Sequence, residues 1–143
     1  MYKNRVWVLS AFIAVCAVLG ARVVYGHGDV APQPVDTTGL PPLGDEWLTE
    51  NPYRGNPVAI EIGAHGYTQN CARCHGIEAV SGGLAPDLRE LEITPDGDEW
   101  YIELTRKGVT QNGVTKMPAF EGILNQEAMW AIRSWVDTQS IAQ

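Results

Sequence analysis

The sequence predicts an all-α fold, and three observations support this prediction. Asn56-Pro57 pairs a capping residue with proline, which is typical of a helix start. Apolar residues recur at helical spacing over residues 128–136 near the C-terminus. No segment shows the convincing alternation of apolar and polar residues that marks a half-buried strand. We therefore expect helices that are joined by long loops.

The first 26 residues resemble a secretory signal peptide. Lys3 and Arg5 precede an apolar run over residues 6–19, and Val24-Tyr25-Gly26 fits a cleavage site before His27. A retained membrane anchor is the alternative, although this run is shorter than the roughly 20 apolar residues that span a bilayer. Export would place the protein in the periplasm.

Charge limits the partners of the chain. Loss of the signal peptide would remove three basic residues and change the net charge from −7 to −10. Such an acidic protein does not bind the phosphate backbone of nucleic acids. Its field would instead steer it towards basic patches on a partner. The 117 residues that remain after cleavage suffice for one small domain.

A segment rich in proline and glycine, residues 27–55, separates the signal peptide from the domain at 56–143. This composition predicts an extended arm rather than a second domain. The arm also carries Trp47 and Tyr53, which a free linker would not need. We expect these two aromatic side chains to hold the arm against the domain.

The first predicted helix begins at Pro57 and continues to Asn70. Gly63 and Tyr67 stand four residues apart and share one face of it. Because glycine has no Cβ, Gly63 permits another helix to approach closely. Asn125 caps the last helix, which carries the apolar residues at 128–136.

A short helix is predicted over residues 98–107, with possible starts from residue 94 onwards. Trp100 and Leu104 would form its inner face, with Tyr101 as a further candidate, and Gly108 would end the helix. The following residues, 109–119, are expected to form a loop.

The pentapeptide Cys71-Ala72-Arg73-Cys74-His75 is the most informative motif. C-x-x-C-H is the attachment signature of c-type haem. Cys71 and Cys74 would lie on one side of a helical turn and bond the two vinyl groups of one porphyrin. His75 would then supply a neutral imidazole to the iron. One short segment would thus anchor the haem covalently and give it an axial ligand.

Three other uses of the two cysteines are open. Half of a zinc site would need two further ligands, and the only other cysteine, Cys16, lies in the predicted signal peptide. A thioredoxin-like redox pair would need a βαβ pattern around it. A plain disulfide between Cys71 and Cys74 would leave His75 unexplained.

Met117 is the best candidate for the second axial ligand. It follows His75 by 42 residues, which is enough chain to reach the other face of a porphyrin. Pro118 restricts Met117 to an extended backbone. The alternatives are an open site or one of three other residues: Met129, His65 and His27.

Pro86 lies in a predicted loop over residues 81–88, eleven residues after His75. An iron-bound histidine usually donates its other ring N–H to a carbonyl or carboxylate oxygen. The Pro86 carbonyl is our candidate acceptor, and a plain turn proline is the alternative.

Together these residues resemble the class I c-type cytochromes. The resemblance rests on Cys71-Ala72-Arg73-Cys74-His75, Pro86-Asp87-Leu88 and Met117-Pro118, and it covers about residues 56–138. It implies the small cytochrome c fold, with helices around one covalently bound haem. It also implies an electron-transfer protein rather than an enzyme, with Cys71, Cys74, His75, Pro86 and Met117 as the haem site.

Two further segments, residues 51–56 and 82–89, are similar to those of one subgroup. These are small periplasmic cytochromes c that accept electrons from quinoprotein (pyrroloquinoline quinone) alcohol dehydrogenases. The resemblance implies such a dehydrogenase as the donor and a terminal oxidase or another cytochrome as the acceptor. The alternatives are a haem subunit tethered to or docked on a larger membrane complex, and a ligand-binding haem enzyme or sensor.

Overall fold

The computed structural model of the chain describes residues 31–141. The predicted signal peptide, its anchor alternative and His27 lie outside the described residues. The regular elements are helices α1 (Pro57–Asn70), α2 (Ala72–His75), α3 (Pro95–Lys107) and α4 (Gln126–Gln139), and strands β1 (Val109–Gln111) and β2 (Val114–Met117). Single 3₁₀ turns occupy Ile77–Ala79 and Leu88–Glu90. Within residues 31–141, every helix is too short or too polar to cross a membrane.

The helices begin at capping residues that the sequence provides. The Asn56 side chain accepts hydrogen bonds from the first turn of α1, and Thr94 accepts one from the Gly97 N–H of α3. Proline occupies the first position of both helices, where its missing N–H costs nothing. Asn125 accepts from the Ala128 N–H and caps α4 as predicted. Local chemistry therefore fixes where all three long helices start.

Helices α1 and α4 cross at Gly63. A Cβ atom on Gly63 would lie 1.9 Å from the carbonyl oxygen of Ala131, so only glycine allows this separation. The neighbouring Tyr67 ring packs against Trp135 in a tilted arrangement, with 4.4 Å between the ring centroids. The face of α1 that was predicted from Gly63 and Tyr67 is therefore confirmed, and this crossing forms the centre of the core.

Replacing Gly63 with alanine is expected to destabilise the protein by about 3 kcal/mol, because the new Cβ atom meets backbone rather than a movable side chain. Urea unfolding of the haem-loaded protein measures this loss. Gly82→Ala is the matched control, since a Cβ atom there meets nothing within 4 Å. Equal stabilities of the two variants would contradict the close crossing.

The arm lies against the domain, as predicted. Tyr53 is buried, and its hydroxyl donates to the Pro41 carbonyl. The Arg106 guanidinium stacks over the Trp47 ring, 4.1 Å from its centroid. The Gln126 side chain at the start of α4 also bonds arm backbone, accepting from the Leu48 N–H and donating to two arm carbonyls. The described part of the arm, residues 31–55, therefore packs against the helices and forms hydrogen bonds with them.

A buried carboxylate, Asp98, joins the arm to two helices. It is fully buried, and it accepts hydrogen bonds from Arg54 of the arm at 2.7 Å and from Arg133 of α4 at 3.0 Å. The Asn51 N–H donates to the same carboxylate at 2.9 Å. Asp137 extends the network through Arg54 at 3.0 Å. The fold therefore depends on a charge cluster as well as on apolar packing.

The inner face of α3 differs from the prediction. Trp100 is 52% exposed, so its assignment to the inner face is wrong, and Leu104 is only half-buried. The buried residues of this helix are Asp98, Tyr101, Ile102 and Thr105, so the further candidate Tyr101 does face the core. Because the Asp98 carboxylate must meet Arg133, the helix presents that side to the core and turns Trp100 outward.

The segment predicted as a loop after Gly108 contains the antiparallel pair β1–β2. Its turn residues Asn112 and Gly113 have φ angles of +52° and +75°. Asn-Gly with two positive φ angles is the preferred two-residue turn of a β-hairpin. The prediction of a loop without strands is therefore wrong over this segment, while the mainly helical fold class is confirmed.

Candidate functional site

The C-x-x-C-H motif lies where α1 ends. The Cys71 N–H still donates to the Tyr67 carbonyl, and a new helical turn, α2, starts at once. The N–H groups of Cys74 and His75 both donate to the Cys71 carbonyl, at 3.1 and 3.0 Å. The turn therefore places the two cysteines three residues apart on one helical side, with His75 directly after them.

Both thiols are free in the structure, so the disulfide alternative is not formed there. Burial raises the pKa of the Cys71 thiol to about 12, and the nearby Cys74 adds to the rise. Cys71 is consequently a neutral thiol at physiological pH. Among residues 31–141, His, Cys, Asp and Glu side chains form no group of three or more that could hold a metal ion.

A sharp turn follows His75. Gly76 has a φ of +84°, and a Cβ atom there would lie 1.8 Å from the Val80 carbonyl oxygen. The Tyr67 hydroxyl donates to the Gly76 carbonyl at 2.7 Å and ties this turn to α1. Burial raises the pKa of Tyr67 above its ordinary value, so the hydroxyl keeps the proton that it donates. The turn redirects the chain into the loop that contains Pro86.

The imidazole ring of His75 is held by a hydrogen bond at one of its two nitrogens. Nδ1 lies 2.9 Å from the Pro86 carbonyl oxygen. A carbonyl can only accept, so Nδ1 carries a proton, and in the neutral imidazole the lone pair is then on Nε2. This is the tautomer in which a histidine binds a metal through Nε2 while a second group orients the ring.

Met117 is held by a different element, at the end of β2. It is half-buried and pairs with Val109 of β1. Met117 and Cys71 both pack against the same buried core, which places them on one body of the protein. The structure thus brings Cys71, Cys74, His75 and Pro86 together directly and presents Met117 from the hairpin.

Gly108 gives the Met117 segment its position. Its φ is +70°, and a Cβ atom there would lie 2.6 Å from the Met117 carbonyl oxygen and 2.7 Å from the Ala119 nitrogen. The end of α3 and the Met117-Pro118 backbone can approach this closely only because residue 108 is glycine.

The other candidates for the second ligand have different surroundings. Met129 is fully buried within α4, inside the apolar core. His65 is exposed on α1, six residues before Cys71. His27 lies outside the described residues.

The donor set fits a c-type haem. Two free thiols on one turn match the two thioether bonds, and an imidazole held through Nδ1 can offer Nε2 as an axial ligand. The thioether of Met117 is a soft, neutral donor that suits iron in its reduced state.

Sequence reasoning missed two supporting features. The hairpin that carries Met117 could have been found from Asn112-Gly113, which is a hairpin signal in its own right. The second feature is the Asp87 carboxylate, which accepts hydrogen bonds from residues on both sides of Pro86. An Asp followed two residues later by Arg gives no strong signal of such an arrangement.

Comparison with known proteins gives a consistent family. A family model described as "Cytochrome C oxidase, cbb3-type, subunit III" matches residues 58–136. Cytochrome c550 of Pseudomonas aeruginosa is 47% identical over 96% of this chain and 97% of its own length. Cytochrome c6 of Euglena gracilis is 31% identical over 54% of this chain and 90% of its own.

Two further relatives, both from Pseudomonas putida, are enzymes. Quinohemoprotein alcohol dehydrogenase ADH-IIG of Pseudomonas putida is 34% identical over 106 residues. Those residues are 74% of this chain and only 12% of the dehydrogenase. No solved structure gives a significant match.

These similarities confirm three predictions from the sequence: the small cytochrome c fold, the covalently bound haem, and a function in electron transfer rather than catalysis. The family model covers more than half of the chain, and the c550 relative covers nearly all of it. The chain therefore belongs to the cytochrome c family and is an electron carrier with haem c as its cofactor.

Proposed function

We propose that the chain is a periplasmic one-electron carrier whose haem iron is bound by His75 and Met117. Its donor is a pyrroloquinoline-quinone alcohol dehydrogenase, and its acceptor is a terminal oxidase or another cytochrome. The similarity to 106 residues of a quinohemoprotein alcohol dehydrogenase carries the proposal of the donor. In that relative the matching stretch is part of a larger chain, whereas here it is most of a small one. A separate carrier can receive the electron that such an enzyme releases.

Five residues would form the haem site in this proposal. Cys71 and Cys74 anchor the haem by thioether bonds, His75 binds the iron through Nε2, and the Pro86 carbonyl orients the imidazole. Met117 supplies the second axial ligand from the hairpin. The bound haem supplies a single-electron ferric–ferrous couple.

Ligation by Met117 favours a carrier over a ligand-binding enzyme. Compared with a second imidazole ligand, a thioether stabilises ferrous iron more strongly and therefore raises the reduction potential of the haem. It also fills the position at which oxygen or peroxide would bind. With both iron-binding positions filled by His75 and Met117, the site would change little between the two oxidation states.

The donor is tested by stopped-flow reduction of the ferric holoprotein with a quinoprotein alcohol dehydrogenase. We expect a reduction rate that depends on alcohol and falls as ionic strength rises, because the acidic carrier is steered towards a basic patch. Ascorbate serves as the control reductant. Rapid reduction by ascorbate without any alcohol-dependent reduction would exclude this dehydrogenase as donor.

Gly108→Ala is expected to weaken the bond between Met117 and iron, because the new Cβ atom pushes on the Met117-Pro118 backbone. Overpacking costs ~1–3 kcal/mol, so cyanide should bind the ferric protein roughly tenfold more tightly than it binds the wild type. Titration with cyanide measures this change. Gly55→Ala is the control, since Gly55 has a φ of +78° but open space around it. Equal cyanide affinities in the two variants would contradict the positional requirement at Gly108.

A second candidate is a haem subunit that is docked on a membrane oxidase. The matching family model, which is named for subunit III of a cbb3-type oxidase, favours this candidate. Intact mass and cell fractionation separate the two. A carrier is released with the periplasmic fraction, and its mass equals that of a chain beginning near His27 plus one haem. A subunit stays with the membrane, and it keeps residues 1–26 if it is tethered by them rather than docked.

A further inference from the structure

The loop that presents the Pro86 carbonyl to His75 is held by side chains that do not contact the histidine. Pro86 itself is exposed and provides no N–H for a hydrogen bond. The direction of its carbonyl must therefore be set by its neighbours in the chain. The structure shows such restraints on both sides of Pro86.

On the C-terminal side, the Asp87 carboxylate binds two parts of the chain at once. It accepts from the Ser81 N–H at 3.3 Å and from the Arg89 N–H at 3.0 Å. The Arg89 guanidinium adds a two-point contact, with Nε 3.0 Å and Nη2 2.8 Å from the two carboxylate oxygens. Bidentate contacts of this kind fix geometry as well as charge.

On the N-terminal side, Ser81 closes the loop from within. Its hydroxyl donates to the Ala85 carbonyl, next to Pro86, and accepts from the Gly83 N–H at 3.0 Å. The Arg89 carbonyl in turn accepts from the Ile141 N–H at 3.0 Å, which ties the loop to the C-terminal residues. Pro86 is thus bracketed by bonds to the residues before and after it.

We infer that Asp87, Arg89 and Ser81 are positioning residues that set the hydrogen bond between Pro86 and His75 and thereby the reduction potential. This inference rests on the proposed function, because it takes His75 as an iron ligand. A well-aimed carbonyl makes the imidazole a stronger donor, which favours ferric iron and lowers the potential. Loosening the loop weakens that bond and raises the potential.

The sign of the change separates positioning from simple electrostatics. Hydrogen bonds from Arg89 hold the pKa of Asp87 well below its usual range, so the pair is fully charged at neutral pH. If charge alone mattered, removing Asp87 would raise the potential, while removing Arg89 would lower it. If the loop acts through His75, both changes raise the potential.

The test is potentiometric titration of three haem-loaded variants, Asp87→Ala, Arg89→Met and Ser81→Ala. We expect each to shift the one-electron equilibrium about threefold towards the ferrous form, which is ~28 mV at 59 mV per tenfold. Ser81→Ala removes no charge and disturbs the fold least of the three, so it remains informative if Asp87→Ala fails to fold. Asp36→Ala is the matched control, because Asp36 also accepts local hydrogen bonds, from Thr38, but lies on the arm.

A second readout addresses the hydrogen bond itself. In the ferrous protein, the Nδ1 proton of His75 should exchange with solvent at least about threefold faster in the three variants than in the wild type. A fall in potential for Arg89→Met, or no change for Ser81→Ala, overturns the inference. If the wild-type haem lacks a histidine ligand, the proposed function fails instead, and the spectrum shows this before any variant is compared.

Discussion

Met117→Ala is expected to abolish the far-red charge-transfer band of ferric iron bound to a methionine sulfur and to lower the reduction potential. Axial ligands and surroundings set haem potentials over about 0.8 V, and we expect a fall on the order of 0.2 V. At 59 mV per tenfold, such a fall changes the one-electron equilibrium more than about a thousandfold. Optical redox titration measures both effects on one sample.

Met129→Leu is the matched control for this prediction. Met129 is fully buried among apolar side chains of α4, and leucine preserves its volume. The control should therefore keep the band and the potential. A Met117→Ala protein that retains the band would exclude Met117 as the ligand. Loss of the band in Met129→Leu would indicate that Met129, and not Met117, binds the iron.

Asp98→Asn is expected to cost about 3–5 kcal/mol of unfolding free energy, because it leaves a buried arginine without its main counter-charge. Arg133 is fully buried and bonds Asp98 through Nε at 3.0 Å. Asparagine keeps only one acceptor oxygen, so Arg54 would also lose one of its two 2.7 Å contacts. With the amide nitrogen at the Oδ2 position, the Asn51 N–H of the arm would lose its acceptor. Urea unfolding of the holoprotein measures the cost.

An exposed ion pair provides the control for the buried network. Glu103 and Lys107 lie one turn apart on α3, with 2.9 Å between their charged atoms, and both are more than half exposed. Glu103→Gln should change the unfolding free energy by at most about 0.5 kcal/mol. If Asp98→Asn proved as mild as Glu103→Gln, the cluster would not be what holds the arm to the helices.

The features that follow from local chemistry were predictable from the sequence. Caps at Asn56 and Asn125 fixed helix starts, and Gly63 showed where two helices meet. The turn of Cys71 to His75 follows from its spacing alone. The caps and the turn depend on contacts between residues that are only a few positions apart in the sequence. The helix crossing depends only on the missing Cβ atom of Gly63.

The features that depend on distant partners were not predictable in this way. Trp100 was assigned to the core from its apolar character, yet the pairing of Asp98 with Arg133, 35 residues away, turns it outward. The hairpin differs from Trp100, because it does have a local signal in Asn112-Gly113, whose two positive φ angles form the turn. The bonds around Asp87 join residues in a loop that has no periodic pattern to reveal them.

The most direct test of an iron held between His75 and Met117 is the proton NMR spectrum of the reduced wild-type protein. A methyl group bound over the face of a porphyrin lies in its ring current and resonates far upfield of other methyl groups. We expect one such three-proton signal, which is absent from Met117→Ala and kept in Met129→Leu. A reduced haem protein without an upfield methyl signal would contradict ligation by methionine.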